Sequence, residues 1–248
     1  MNTDQPVRPA NIENIVAINQ GRRPLTMGPP RAHPLSPAEF AELAEDGRLV
    51  VDTRSAVAFG GWHVPGAMSI LQSSPEFEQR VGWVTPPDVP LLLVTDNADA
   101  TQHVLHALAF LGLDSRVEGH LAGGMRSWLR AGQPQETLSQ MSVHELAAVL
   151  SNSDGMQVLD VRESSEWDTG HVDGAHYMNF KFLADRIGEL ELSTDGHVSV
   201  ICAAGARSST ACGVLLRNGF RRVRNVAGGM GAWAAAGLPM VDATGEPA

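Results

Sequence analysis

The chain has 248 residues, enough for two ordinary domains that each bury a core of their own. Hydrophobic residues make up 43% of it and charged residues 19%, which is typical of a soluble globular protein and excludes a disordered one. Because 28 acidic residues outnumber 18 basic ones, the net charge is −10, and non-specific binding to nucleic acid or to an anionic membrane is not expected.

Residues 1–35 are interpreted as an N-terminal arm. They contain six prolines and lack the apolar core of a signal peptide, and their most foldable stretch is 12–18. The whole chain has no run of 18 or more apolar residues, so no membrane span is expected. The two cysteines, Cys202 and Cys212, fall on a predicted loop and the helix after it and are not expected to pair, which favours a reducing cytoplasm.

After the arm, the pattern predicts helices that alternate with buried strands. Ser36 begins a helix as its N-cap, with proline next and Glu39 completing a capping box. The apolar run from Leu49 to Asp52 predicts a strand, and a second run from Leu91 to Thr95 leads into a helix that ends at Gly112.

The same elements recur in the second half of the chain. They are a capping box at Ser142 and Glu145, strands at Val158 to Asp160 and Val198 to Cys202, a helix ending at Gly219, and a strand at Arg221 to Val226. Asp52-Thr53-Arg54 recurs 108 positions later as Asp160-Val161-Arg162, and the Gly-Gly-Met segment at 123–125 recurs 105 positions later. We therefore expect two repeats of about 100 residues, at 36–134 and 140–248, joined by a linker at 135–139.

Strands that alternate with helices predict an α/β fold, with a mostly parallel sheet flanked by helices in each repeat. In such sheets ligands bind beyond the carboxyl ends of the strands. In the second repeat that position holds a cysteine followed by small residues and an arginine: Cys202, Ala203, Ala204, Gly205, Ala206, Arg207 and Ser208.

This loop has the composition of a site that holds a thiolate. Small residues let the backbone curl, and Gly205 is free to adopt a positive φ, so successive N–H groups can point inward. A helix that starts near Arg207 adds its unpaired N–H groups and the positive end of its dipole. Cysteines in such settings favour the thiolate over the thiol.

From about Ser36 to Pro239 the chain resembles the rhodanese family. The motifs are Asp-x-Arg after a strand, Gly-His-x-x-Gly-Ala, Cys-x-x-Gly-x-Arg-Ser and Gly-Gly-x-x-x-Trp. The resemblance implies two tandem rhodanese-like domains and sulfurtransferase activity through a persulfide on Cys202. The loop is similar to the short loops of small bacterial members, and it lacks the sequence of the animal thiosulfate sulfurtransferases, so their substrate preference is not carried over.

The expected reaction transfers sulfur from a small donor such as thiosulfate to cyanide or a thiol, with no metal or organic cofactor. A sulfur-acceptor protein is a further expected partner. Backbone N–H groups from Ala204 to Ser208 would hold the extra negative charge of the persulfide, and Arg207 would add a positive charge. Nucleic acid and membrane are not expected partners.

The first repeat is expected to be catalytically silent. Aligning the repeats on Gly112 and Gly219 puts Thr95 opposite Cys202 and Ala100 opposite Arg207. A shift of a few residues puts Val94, Asp96 or Asn97 there instead, and none of these is a cysteine. Asp96 and Asp99 also place negative charge where an anion would bind.

Residues that both repeats share are assigned to architecture. These are the two Asp-x-Arg pairs, the histidines His63 and His171, and the tryptophans Trp128 and Trp233; Cys212 is interpreted as a packed structural thiol. Two alternatives to a sulfurtransferase remain open. One is a non-enzymatic sulfur-relay or protein-binding module. The other is a phosphatase or arsenate reductase, although tyrosine phosphatases have five residues between cysteine and arginine and this loop has four.

Overall fold

The computed structural model describes residues 11–22, 28–152 and 155–248. Contacts divide the chain into two compact units. Unit 1 consists of Met1–Arg54 and Leu71–Gln135, and unit 2 consists of Ser55–Ile70 and Glu136–Ala248. Among the residues described, no helix is long and apolar enough to cross a bilayer.

The first repeat forms a five-stranded sheet in the order β1-β5-β4-β2-β3, in which β1–β5, β5–β4 and β4–β2 pair in parallel. Its elements are α1 (Ile12–Asn19), β1 (His33–Leu35), α2 (Pro37–Glu45), β2 (Leu49–Asp52), α3 (Ala56–Gly61), β3 (Met68–Ser69), α4 (Phe77–Val84), β4 (Leu91–Val94), α5 (Ala98–Ala109), β5 (Val117–Leu121) and α6 (Gly124–Arg130).

The second repeat forms a five-stranded sheet with the equivalent order, β6-β10-β9-β7-β8, whose neighbouring strands are all parallel. Its elements are β6 (Ser139–Met141), α7 (Val143–Ser151), β7 (Gln157–Asp160), α8 (Ser164–Thr169), β8 (His176–Tyr177), α9 (Phe180–Arg186), β9 (His197–Ile201), α10 (Ala206–Arg217), β10 (Arg222–Val226) and α11 (Gly229–Ala235). The predicted α/β fold with two parallel-sheet repeats is confirmed.

Local sequence signals fix the helix ends. Both predicted capping boxes form, because Ser36 and Ser142 each accept the N–H of the glutamate three residues on. The sheet of the first repeat begins earlier than the sequence suggested. Residues 33–35, assigned above to the arm, are the edge strand β1, where the missing N–H of Pro34 is tolerated.

The Asp-x-Arg pairs form internal ion pairs, as predicted. Asp160 is fully buried, and Arg162 contacts both of its carboxylate oxygens and also donates to the Gly170 carbonyl at 2.7 Å. Asp52 and Arg54 form the same clamp in the first repeat.

The shared aromatic residues are also architectural. Trp128 and Trp233 are buried, and each indole N–H donates to a proline carbonyl six residues further along the chain. The rings of His63 and His171 are buried and stack on Phe59 and Trp167, whose carbonyls lie within hydrogen-bond distance of the histidine Nδ1 atoms.

Helix α10 is held in unit 2 by a segment from the first repeat. Ser69 lies next to α10, with its Oγ 3.0 Å from Ser209 Oγ and its carbonyl accepting the Thr210 hydroxyl at 2.5 Å. Gly213 leaves room for Met68, whose sulfur would lie 3.0 Å from a Cβ at that position. The helix that follows the cysteine loop is therefore fixed on its buried face.

Candidate active site

Strand β9 delivers Cys202 to the carboxyl end of the sheet. It lies between β7 and β10, with Ile201 opposite Asp160 and Val200 opposite Asn225. The chain then turns through Gly205, which has the predicted positive φ, 99°, and is the N-cap of α10. A side chain at this φ would be strained, so glycine allows the sharp entry into the helix.

The Cys202 sulfur has polar neighbours although the residue is only 1% exposed. Its Sγ accepts the N–H of Gly205 at 3.1 Å and lies 3.3 Å from the Ser208 hydroxyl oxygen. The loop and the first turn of α10 thus surround the sulfur with hydrogen-bonding groups.

The N-terminus of α11 fixes the other side of the loop. Met230 N–H donates to the Cys202 carbonyl at 2.7 Å, and Gly231 N–H donates to the Ala203 carbonyl at 3.0 Å. In a trans peptide the C=O and N–H point in opposite directions. The N–H groups of Ala203 and Ala204 are therefore directed away from α11.

Several loop N–H groups are available to an anion. In the described part of the chain, no backbone acceptor is engaged by the N–H groups of Ala203, Ala204, Ala206, Arg207 or Ser208. They lie in the same loop and first helical turn as Gly205, whose N–H contacts the sulfur.

Arg207 forms an ion pair with Glu166, a residue that the sequence analysis did not identify. Its two terminal nitrogens donate to the two carboxylate oxygens of Glu166, from α8, at 2.6 and 2.8 Å. This hydrogen bonding, against the opposing effect of burial, lowers the pKa of Glu166. Burial acts to lower the pKa of Arg207, but the hydrogen bonds and charge of Glu166 outweigh it and raise that pKa. The sequence did contain a signal, since the first repeat has alanine at both positions, Ala58 and Ala100.

A second missed feature is a buried asparagine beside Ser208. The Ser208 hydroxyl donates to Asn225 Oδ1 at 2.6 Å, and Asn225 Nδ2 donates to Gln140 Oε1 at 2.9 Å. Asn225 is 1% exposed.

Cys212 is as buried as Cys202 but differs in its surroundings. It is a free thiol in the middle of α10, between buried Ala211 and Val214, and burial raises its pKa well above the usual value. The predicted structural role of Cys212 agrees with this setting, and it is the polar neighbours, not burial, that set Cys202 apart.

The first repeat carries the same frame without the nucleophile. Val94 pairs with Asp52 as Ile201 pairs with Asp160, which places Thr95 where the second repeat has Cys202. The hydroxyl oxygens of Thr95 and Thr101 are 2.7 Å apart, matching Cys202 and Ser208.

The turn into the helix also differs in the first repeat. Helix α5 starts after Asn97, whose φ is −164°, so the left-handed turn of Gly205 has no counterpart there. A cavity of about 940 Å³ in unit 1 is lined by Thr95, Asp96 and Asn97.

These features define a class: α/β proteins that present a cysteine at the end of a central parallel strand, in a loop whose backbone N–H groups have few backbone acceptors. The model of the Rhodanese-like domain matches residues 36–131 and 142–236. The chain belongs to the rhodanese family and contains two tandem rhodanese-like domains.

Curated relatives resemble single repeats of this chain. A sulfurtransferase of Allochromatium vinosum is 31% identical over 104 residues, which are 42% of this chain and 95% of the relative. The thiosulfate sulfurtransferase GlpE of Shewanella oneidensis is 31% identical over 97 residues, 39% of this chain and 93% of its own. A Bacillus subtilis protein named as a sulfur carrier, YrkF, is 27% identical over 126 residues, 49% of this chain and 65% of its own. The family and these relatives support a role in sulfur transfer.

Proposed function

We propose that the protein is a sulfurtransferase that moves sulfur from a donor such as thiosulfate to cyanide or a thiol through a persulfide on Cys202. The observation that carries the proposal is the setting of Cys202, whose sulfur contacts Gly205 N–H within a loop of N–H groups without backbone acceptors. Metal and organic cofactors have no part in the proposed steps.

The reaction consists of two displacements. In the first, the Cys202 thiolate attacks the outer sulfur of thiosulfate; a new S–S bond forms, the old one breaks, and sulfite leaves with the bonding electrons. In the second, cyanide or an acceptor thiolate attacks the outer sulfur of the persulfide and releases the Cys202 thiolate. Such a covalent intermediate predicts ping-pong kinetics.

The loop supplies the electrostatics of both steps. The N–H groups of Ala203, Ala204, Ala206, Arg207 and Ser208 hold the negative charge that moves to the outer sulfur. The Arg207 guanidinium contributes less than a free cation would, because Glu166 binds both of its terminal nitrogens. The 1% exposure of Cys202 favours a small donor, or a chain end able to enter the loop.

In this proposal the repeat at 140–248 is catalytic, and the repeat at 36–134 is silent because it has Thr95 where a cysteine is needed. The linker before β6 and the arm before β1 take no part in the chemistry. Two free thiols fit a reducing compartment, so we propose a cytoplasmic location. A protein acceptor of sulfur is the main partner class.

Intact mass tests the proposal. The protein is incubated with thiosulfate and, separately, with 3-mercaptopyruvate, and the wild type is compared with Cys202→Ser and with the matched control Cys212→Ser. We expect the wild type and the control to gain one sulfur atom, and Cys202→Ser to gain none. If neither donor adds sulfur, the result contradicts the proposal and favours a non-enzymatic sulfur-carrying or protein-binding module. Hydrolysis of para-nitrophenyl phosphate would instead indicate the phosphatase class.

A further inference from the structure

A line of polar side chains connects the protein surface to the Cys202 sulfur. We call Gln140, Asn225 and Ser208 the relay. Gln140 is exposed on the edge strand β6, directly opposite Asn225 on β10, and Asn225 reaches Ser208 on α10. The successive distances are 2.9 Å from Gln140 to Asn225, 2.6 Å from Asn225 to Ser208 and 3.3 Å from Ser208 to the sulfur.

Gln140, at the outer end of the relay, determines which atoms donate in its hydrogen bonds. Gln140 Nε2 donates to the backbone carbonyl of Leu138 at 3.1 Å, and a carbonyl oxygen can only accept. Gln140 therefore turns its oxygen towards Asn225 and accepts from Asn225 Nδ2. Asn225 in turn presents its oxygen to Ser208, so the hydroxyl hydrogen of Ser208 points at Asn225.

This arrangement leaves no hydrogen for the sulfur. A serine hydroxyl has one hydrogen, and in the relay Asn225 Oδ1 takes it. Ser208 then faces Cys202 with a lone pair, which accepts from a neutral thiol but repels a thiolate. For Ser208 to donate to a charged sulfur, it must break its contact with Asn225 and leave a buried oxygen unpaired.

We propose that Asn225 is a positioning residue that holds the Ser208 hydroxyl hydrogen away from Cys202 and thereby sets the pH at which this cysteine becomes reactive. The inference deepens the proposed function and rests on it for the identity of the reacting residue. In the resting site Asn225 holds the Ser208 hydrogen, and the Gly205 N–H is directed at the sulfur.

The first repeat shows that the fold does not need the relay. Its Thr95 and Thr101 keep the inner contact, but the strand position equivalent to Asn225 is His120, which is paired with Pro34 as Asn225 is paired with Gln140. The asparagine and glutamine are thus present only in the repeat that has the cysteine.

The burial of Asn225 also indicates a role at the cysteine. Asn225 is a buried amide in the interior of a strand, where asparagine is disfavoured and an apolar side chain avoids the cost of desolvation. Asn225 is therefore not explained by stability, and it lies two hydrogen-bonding contacts from the sulfur. This indicates that it affects the reactivity of Cys202.

The test is the pH dependence of alkylation of Cys202 by iodoacetamide in the folded full chain, followed by peptide mass spectrometry. Asn225→Leu removes the acceptor and frees the Ser208 hydrogen for the sulfur. Gln140→Met, at an exposed position, frees the Asn225 amide to turn and does not disturb the core. We expect both to lower the pH of half-maximal alkylation by roughly 1 unit. Gln133→Met, in unit 1, is the matched control and should match the wild type.

The deciding measurement repeats both changes in a Ser208→Ala background. There neither change should shift the profile, because the effect passes through the Ser208 hydroxyl. An unchanged or raised pH in the single variants, or the same shift without Ser208, would overturn the inference. Alkylation needs no sulfur donor, so failure of sulfur loading, which tests the proposed function, is distinguished from failure of the relay.

Discussion

Arg207 and Glu166 form an ion pair with two parallel hydrogen bonds at the start of the helix that follows the cysteine loop. An arginine in such a loop suggests a free cation for an anionic donor. Here the carboxylate of Glu166 binds both terminal nitrogens of that cation, and the first repeat has alanine at both equivalent positions. The pair connects α8 to the start of α10, and we expect it to act as one unit on the electric field at the Cys202 sulfur.

Changing one partner of this pair should move the reactivity of Cys202 in a known direction. Glu166→Gln removes a negative charge and leaves Arg207 positive, so we expect alkylation by iodoacetamide to become half-maximal at a lower pH. Arg207→Ala leaves Glu166 unpaired near the sulfur and should raise that pH. Glu189→Gln, in the exposed pair with Arg186, is the control. Profiles that coincide for all variants would show that the pair has no electrostatic role.

The same pair predicts a pH dependence of stability. The pKa of Glu166 is lowered in the folded state by its hydrogen bonds to Arg207, from an ordinary value of 4.5. Its contribution is therefore complete above pH 4.5 and is lost as the pH falls through the lower, folded pKa. In urea unfolding, the wild type should have a larger free energy of unfolding than Glu166→Gln at pH 7. This difference should become smaller at the low pH where the folded Glu166 is protonated. A difference that grows on acidification would contradict this sign.

The buried clamp should matter more for stability than any surface pair. Arg162→Ala leaves the fully buried Asp160 without its partner, and breaking a buried pair in this way costs about 3–5 kcal/mol of unfolding free energy. Arg221→Ala is the control, because its pair with Asp195 is about three-quarters exposed on both sides and should contribute roughly 1 kcal/mol or less. Equal losses for the two variants in urea unfolding would refute the assignment of Asp160 and Arg162 to the core.

Local signals explain how much of this fold is readable from the sequence. Capping at Ser36 and Ser142, the apolar strand runs and the glycine at 205 each depend on a few neighbouring residues, so their patterns predict the observed elements. The internal repeat also allowed the two halves of the sequence to be aligned. The strand pairing confirms that Thr95 lies at the position that Cys202 occupies in the second repeat.

The two features of the site that the sequence did not predict are contacts between residues far apart in the chain. Gln140 and Asn225 are 85 residues apart, and Glu166 and Arg207 are 41 apart. A glutamate in a short helix or a glutamine at a strand edge gives no local sign of its partner. Only comparison of the two repeats, where these residues disappear with the cysteine, contains that information. The packing of residues 55–70 with unit 2 is likewise tertiary and has no local pattern.

Cys212 should be inert in the folded protein. Burial raises its pKa well above the usual value, so the thiol stays protonated, and it lacks the polar neighbours that contact the Cys202 sulfur. We expect native Cys202→Ser to gain no carbamidomethyl group from iodoacetamide at pH 8, and the same variant unfolded in urea to gain one. Labelling of the native variant would show that helix α10 opens locally and that Cys212 is available as a second thiol.

Gly229 and Gly124 provide a matched pair of substitutions for testing how α11 holds the cysteine loop. Both have positive φ values, 54° and 57°, so alanine strains both by a similar amount, about 1–2 kcal/mol. A methyl group at Gly229 would also overlap the Cys202 carbonyl, whereas at Gly124 it would lie 2.9 Å from the Thr95 carbonyl in the repeat without a cysteine. We expect Gly229→Ala to lose more stability than Gly124→Ala in urea unfolding, because its methyl group overlaps the backbone of the cysteine loop. In the fraction that remains folded, we expect only Gly229→Ala to lose most of its sulfur loading from thiosulfate and to alter the rate at which iodoacetamide reacts with Cys202. Equal effects of the two variants on that rate would mean that contact with α11 does not position the sulfur.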